Sequence, residues 1–178
     1  MANPAKLEKI IADNGYTTGI GSNIFLAFPG TFTAKPVVNP ADDTTTFVET
    51  ITPTGVFTAA SNKGFISIPV DDQTAEIDIQ TDQDVNRAVS TVFKFRLKTS
   101  IATLGMFKSI PVGTELVAIA PKREIGKSVA MGFQEGFHLK VNTWKVVEKS
   151  KEAYIDCEMV MHDSFYIYEG AIPKETTA

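Results

Sequence analysis

The sequence predicts a mainly β fold of α+β type, an antiparallel β-sandwich or barrel with a short N-terminal helix and one mid-chain helix. Three observations carry this. Segments that alternate apolar and polar residues with period two recur along the chain, as half-buried strands require. Thr, Val, Ile and Phe, which suit a pleated surface, recur in short runs. Turn residues punctuate those runs at intervals that fit strands rather than long helices.

The N-terminus reads as a short helix. Asn3 is its N-cap, Pro4 its first helical residue, Leu7, Ile10 and Ile11 its apolar face, and Gly15 after Asn14 its stop. Ser22 to Phe28 forms a first strand that ends at Pro29-Gly30, and Thr31 to Val38 a second. Asn39-Pro40 with Asp42-Asp43 is a polar break before a third strand, Thr45 to Ile51. Pro53 to Gly64 reads as an extended loop. Phe65 to Val70 is a short strand, and Pro69, which has no N–H to donate, places it at a sheet edge. In Thr74 to Gln80, Ala75, Ile77 and Ile79 point one way while Glu76, Asp78 and Gln80 point the other.

Beyond a charged break at Asp82 and Asp84, Phe93, Phe95 and Leu97 oppose Lys94, Arg96 and Lys98 in a half-buried strand. Ser100 caps a helix carrying Ile101, Leu104 and Phe107, which ends before Pro111. Thr114 to Ala120 is apolar on both faces apart from Glu115 and reads as a central strand, followed by a basic turn from Pro121 to Lys127. Next come Phe137, Leu139 and Val141, alternating with His138, Lys140 and Asn142, with Trp144 on the latter side. Ala153, Ile155, Cys157, Met159 and Met161 alternate in turn with Tyr154, Asp156 and Glu158. With the polar turn Glu148 to Glu152 between them, these make a long antiparallel hairpin in which Trp144 and Tyr154 form a cross-strand core pair. Ser164 to Tyr168 adds a final strand, and Pro173 to Ala178 reads as a frayed tail. No repeat or linker divides residues 1–178, so one domain is expected.

Composition narrows the function classes. A hydrophobic fraction of 43% and a charged fraction of 21% are those of an ordinary globular chain. Cys157 is the only cysteine, which rules out an intrachain disulfide and a multi-cysteine zinc site and fits a reducing cytoplasm. The N-terminus lacks the apolar stretch of a signal peptide, and the uncharged run from Asn14 to Ala34 is broken by Gly, Pro, Thr and Asn, so no membrane span is expected. The net charge of −4 divides into −6 through residue 90 and +2 from residue 91, an asymmetry able to support head-to-tail contact between copies. No basic cluster alternates with aromatics, which disfavours sequence-specific nucleic-acid binding.

No catalytic, cofactor or metal residues are expected, and the chain is read as a non-enzyme. Gly126-Lys127-Ser128 ends like a phosphate loop, but Pro121 stands where the motif needs its first glycine, and Gly19-Ile20-Gly21 lacks the rest of a dinucleotide fingerprint. Cys157 lies on an apolar strand face while His162, five residues on, faces the other side, which separates a nucleophile from its base. His138 and His162 have no ligand-spaced companions. Asp82, Asp84 and Asn86 alternate like calcium ligands, but Arg87 and Phe93 occupy the glycine and glutamate positions.

The order of helix, strands, mid-chain helix and strong C-terminal hairpin resembles bacteriophage tail-tube proteins. The resemblance is one of layout, carried by Thr74 to Gln80, Phe93 to Lys98, Ser100 to Ser109 and Phe137 to Met161. It implies a virion subunit, made in the host cytoplasm, that assembles into stacked hexameric rings forming a conduit for DNA, with other virion proteins as partners. Under it, Glu76, Asp78 and Gln80 would face an acidic or neutral lumen. The loop Thr52 to Lys63 would reach the neighbouring ring, with Pro53, Val56 and an exposed Phe57 as its inter-subunit contacts. A decoration or head-completion protein shares these requirements. The competing class is a small-ligand-binding β-barrel, which needs a closed sheet around an apolar cavity.

Overall fold

The computed structural model describes residues 20–40, 45, 47–71, 74–81, 89–122 and 126–176. The expected N-terminal helix and the loop with Asp82, Asp84 and Asn86 lie outside the described residues. Along the chain run β1 (Asn23–Ala27), a 3-10 turn (Pro29–Thr31), β2 (Phe32–Ala34), α1 (Phe47–Ile51), β3 (Thr58–Ala59), β4 (Ile66–Pro69) and β5 (Glu76–Thr81). There follow β6 (Val89–Lys98), α2 (Ile101–Ser109), β7 (Glu115–Pro121), β8 (Ser128–Met131), β9 (Leu139–Glu148), β10 (Ala153–Met161) and β11 (Tyr166–Tyr168).

The fold is mainly β and sandwich-like; the sheet does not close into a barrel. Its fork is β7. Glu115 and Leu116 pair with β9, and from there the sheet continues through β10 and β6 to β5. Farther along the same strand, Val117 to Ile119 pair with β1, which carries β4 on its far side, while Ala118 to Pro121 pair with β8, which carries β11. Two sheets therefore diverge from one strand, and their facing sides form the main core. That core takes Ile24, Leu26 and Ile68 from one sheet and Phe93, Phe95, Leu97, Ile155, Cys157 and Met159 from the other.

A second apolar cluster covers the opposite side of the β1–β7–β8 sheet. Phe25, Val117, Ile119 and Ala130 meet Phe32, Phe57, Phe65, Phe133 and Tyr168 there. Being covered on both faces, β7 and β8 carry no alternation, as the apolar run Leu116 to Ala120 foretells. Phe57 is thus only 4% exposed, with its ring 5.0 Å from Phe32, 5.2 Å from Phe65, 5.8 Å from Phe133 and 5.1 Å from Tyr168. The expectation of an exposed Phe57 is corrected: the loop folds back, and a ring that has no local cover in sequence finds it among residues distant along the chain.

Other expectations change for local reasons. Thr45 to Ile51 contains a helix, not a strand. Asn39 Nδ2 donates to the carbonyls of Glu49 at 2.9 Å and Thr52 at 3.1 Å, closing the end of α1 where the backbone leaves them free. Only Phe32–Ala34 of the second strand pairs in a ladder; beyond Pro36 one bridge, Val37 to Thr54, remains. The tail from Pro173 is not frayed as far as Thr176: Phe65 N donates to Pro173 O at 2.8 Å and Glu175 N to Phe65 O at 3.0 Å.

The hairpin of β9 and β10 forms in the expected place, with one shift. Glu158 lies opposite Thr143 and Met159 opposite Val141, so Asn142 is the extra residue of a β-bulge. Asn142 and Thr143 both face solvent, and Trp144 returns to the core side, opposite Cys157. There its ring lies 6.4 Å from Phe95 and 6.0 Å from Phe107 of α2. Tyr154 is not its partner. It stands on the outer face, where the Arg96 guanidinium lies 3.6 Å above its ring. Ahead of β9, Phe137 is exposed and His138 buried, the reverse of a continued strand, because a turn through Gly136 precedes it and His138 Nδ1 meets Gly132 O at 2.7 Å.

Candidate functional site

The most extensive patterned surface is the outer face of the sheet β9–β10–β6–β5. Period-two geometry turns Phe93, Phe95 and Leu97 of β6 and Ile155, Cys157 and Met159 of β10 inward. Their neighbours Lys94, Arg96, Lys98, Asp156 and Glu158 face outward. Antiparallel register then sets opposite charges side by side. One row runs Thr143, Glu158, Lys94, Glu76, and the next Lys145, Asp156, Arg96. A third runs Glu115, Lys140, Val160, Val92, Asp78.

Side chains realise the pattern. Arg96 Nε donates to Asp156 Oδ1 at 2.8 Å and Nη2 to Oδ2 at 3.3 Å, a two-pronged pair. Lys94 Nζ lies 3.8 Å from Glu158, Lys140 Nζ 3.4 Å from Glu115 and Lys98 Nζ 3.7 Å from Asp71. Asn142, the bulge residue, donates to Glu158 at 2.6 Å. All are solvent-accessible pairs, each contributing about 0–1 kcal/mol. Their consequence is electrostatic rather than energetic, since acids and bases interleave across the face.

The sequence-derived stripe lies on this face at its free edge. Glu76, Asp78 and Gln80 belong to β5, which among the described residues pairs with β6 alone, and stand opposite Lys94, Val92 and Ser90. Parity is as read from sequence; the surroundings are charge-balanced rather than acidic. The three loop residues separate: Pro53 is buried, Val56 exposed and Phe57 buried in the aromatic cluster.

Sequence reading missed a groove of about 600 Å³ between α2 and the β1–β4 edge. Leu26, Ile66, Ile68, Met106, Ile110 and Leu116 line it, with Lys63 and Glu175 also on its wall. Helix α2 has no fully buried residue, and Ile101 is 93% exposed. Its capping box, Ser100 with Thr103, is a local signal. The groove is not, because β1, β4 and α2 are brought together only by the fold.

The remaining motifs resolve structurally. Gly126 takes φ +87° in the turn between β7 and β8, and Ser128 opens a strand rather than a helix. Gly21 N donates to Pro121 O at 2.7 Å, placing that segment alongside β7. Exposed His162 has Nδ1 3.5 Å from Ser90 Oγ, while Cys157 points into the core. Asp163 ties a loop, accepting from Gln134 Nε2 at 2.6 Å, Ser164 N at 2.8 Å and Tyr166 Oη at 3.2 Å. Burial raises its carboxyl above the usual range and pushes the Tyr166 phenol up to about 12. Among the described residues, no group of three or more His, Cys, Asp or Glu is placed to hold a metal ion, and no helix is long and apolar enough to cross a membrane.

Burial also pushes the Cys157 thiol well above its ordinary range, and the side chain is 3% exposed. A polar alkylating reagent is expected to leave the native thiol unmodified and to label it only on denaturation. Labelling of the folded chain within minutes would contradict its structural role. Compared with known proteins, the chain matches no family model, no curated protein and no solved structure.

Proposed function

We propose that the chain is a structural subunit that assembles with copies of itself into rings or tubes, as in the bacteriophage tail-tube proteins it resembles in layout. On this reading it belongs to a virion, is made in the host cytoplasm, meets other virion proteins and lets DNA pass without specific contact. The observation that carries the reading is the broad outer sheet face ending at β5, which among the described residues is bonded on one side only. An uncovered edge is a template for pairing with another chain. A face on which acids answer bases offers phosphate no net positive field, so DNA beside it gains little from counterion release.

The lumen role of Glu76, Asp78 and Gln80 and the inter-subunit role of Pro53 and Val56 are part of this proposal. Phe57 serves it by holding the loop from beneath. Replacing both Glu76 and Asp78 with lysine removes two negative charges and adds two positive ones. The variant is expected to assemble as the parent does and to co-sediment with DNA at low salt, where the parent does not. Parent particles that retain DNA as firmly as the variant would remove the lumen assignment.

One observation favours a second reading, a small-ligand binder: the groove beside α2 has the size and apolar lining of a ligand site. The open sheet excludes the closed-barrel form of that idea, so the groove becomes the seat of the ligand. A rise of several degrees in melting temperature with medium-chain fatty acids would support this reading over assembly.

A further inference from the structure

Residues 171–176 form a strap over the start of β4. Tyr168 Oη donates to Ala171 O at 2.7 Å while accepting from Phe57 N at 3.2 Å. Past Gly170 the chain turns parallel to Phe65, the only parallel contact among the described strands and bridges, and bonds both backbone groups of Phe65 through Pro173 O and Glu175 N. The seat is bare backbone: a Cβ on Gly64 would stand 2.4 Å from Pro173 O. Thr176 Oγ1 donates to Asn62 Oδ1 at 3.0 Å, the Lys174 ammonium lies 5.3 Å from the Phe25 ring centroid, and Glu175 borders the groove.

Two features make the strap separable from its own body. It is joined through Gly170 and exposed over residues 174–176, and its one backbone bridge is to Phe65, with few buried side chains to hold it, which puts it at the low-stability end of the structure. Among the described residues β4 pairs in a ladder with β1 alone and Ile66 is 52% exposed, so the strand beneath the strap is an edge. An element of this kind is exchanged between identical copies at little cost, since every contact made within one chain is remade with the next.

We infer that the strap is exchanged on assembly, residues 171–176 of one copy lying on Asn62 to Phe65 of its neighbour. The partner is a second copy of this chain, and the complementarity is that of the contacts described above. Giving a strap to one neighbour and receiving one from the other is a head-to-tail arrangement, which closes into a ring when the rotation between copies allows. The inference rests on the self-assembly proposed above, but its test is separate.

One preparation carries Asn62→Cys and another Thr176→Cys. They are mixed, concentrated and treated with a short thiol-to-thiol cross-linker, the buried Cys157 being a spectator. A chain carrying both substitutions is treated in parallel, and particle formation is followed by light scattering. In the mixture a dimer joined between positions 62 and 176 is expected, and in the double variant a ladder of joined chains. Links confined to single chains, with no mixed dimer, would overturn the exchange, and particles present alongside them would leave self-assembly standing. Mixed dimers without particles would support the exchange and overturn the ring. No link between these positions in either preparation would remove the strap from its seat, and the inference with it.

Discussion

Replacing Phe57 with alanine is expected to lower the stability of the isolated chain by about 3–5 kcal/mol, the range for emptying an aromatic site in a packed core. Four rings surround it and its backbone N–H bonds the Tyr168 hydroxyl, so the cavity would open in the second apolar cluster where the surrounding chain has little room to collapse. Because that cluster holds Phe32, Phe57 and Phe65 against the sheet, part of the loss should appear as early local unfolding around these residues, ahead of the main core. Chemical denaturation measures the total, and hydrogen exchange at Phe32 and Phe65 measures the local part. Phe57→Leu, which refills most of the volume, should recover more than half of the loss. An unchanged denaturation midpoint for the alanine variant would mean that the ring does not reside in the core.

Deleting Lys140 is expected to cost at least about 3 kcal/mol, or to prevent folding, whereas deleting Asn142 or replacing it with alanine should cost about 1 kcal/mol. Deleting Asn142 removes only the extra residue of the bulge. Leu139, Val141 and Trp144 are then of one parity, so a regular β9 turns all three inward with Trp144 still against Phe95 and Phe107, whereas deleting Lys140 turns Leu139 out of the core. The alanine variant keeps the residue count and loses only an exposed hydrogen bond to Glu158. Tryptophan fluorescence separates the outcomes, since an indole displaced to solvent shifts its emission to longer wavelength. A loss of about 3 kcal/mol or a red-shifted indole in the Asn142 deletion would contradict the bulge assignment.

These two sites show what was legible in the sequence. Strands with one wet face announced themselves: β6 and β10 lie where Phe93 to Lys98 and Ala153 to Met161 alternate, and α2 follows the cap read at Ser100. Strand β8 gave no such signal, because Val129, Ala130 and Met131 are buried on both sides and neither face is marked by polarity. Helix α1 was obscured by Phe47, Val48 and Thr50, residues of strand preference, and depends on the side chain of Asn39 eight residues before its first residue. The bulge at Asn142 is a matter of pairing between two strands, and counting along one strand carried Trp144 to the wrong face. The strap depends on Phe65, more than a hundred residues away, so its own polar composition could only look like a frayed end.

The candidate face was legible to the same extent. Parity set Glu76, Asp78 and Gln80 on one side of a strand, which one chain segment suffices to determine. Their neighbours Lys94 and Glu158 are supplied by register with β6 and by the pairing of β6 with β10, and these turned an acidic stripe into a balanced face. Phe57 made the larger reversal: an aromatic in a run of small and polar residues has no cover within its own segment, and the cover came from Phe32, Phe65, Phe133 and Tyr168.

Self-assembly is the central claim, and electron microscopy of the purified chain tests it most directly. At high protein concentration the account predicts rings or stacked tubes of uniform diameter with an open axial channel, lined by the face that carries Glu76 and Asp78. A preparation that remains a monodisperse 19.4 kDa particle at every concentration, with no ring in any field, would contradict it.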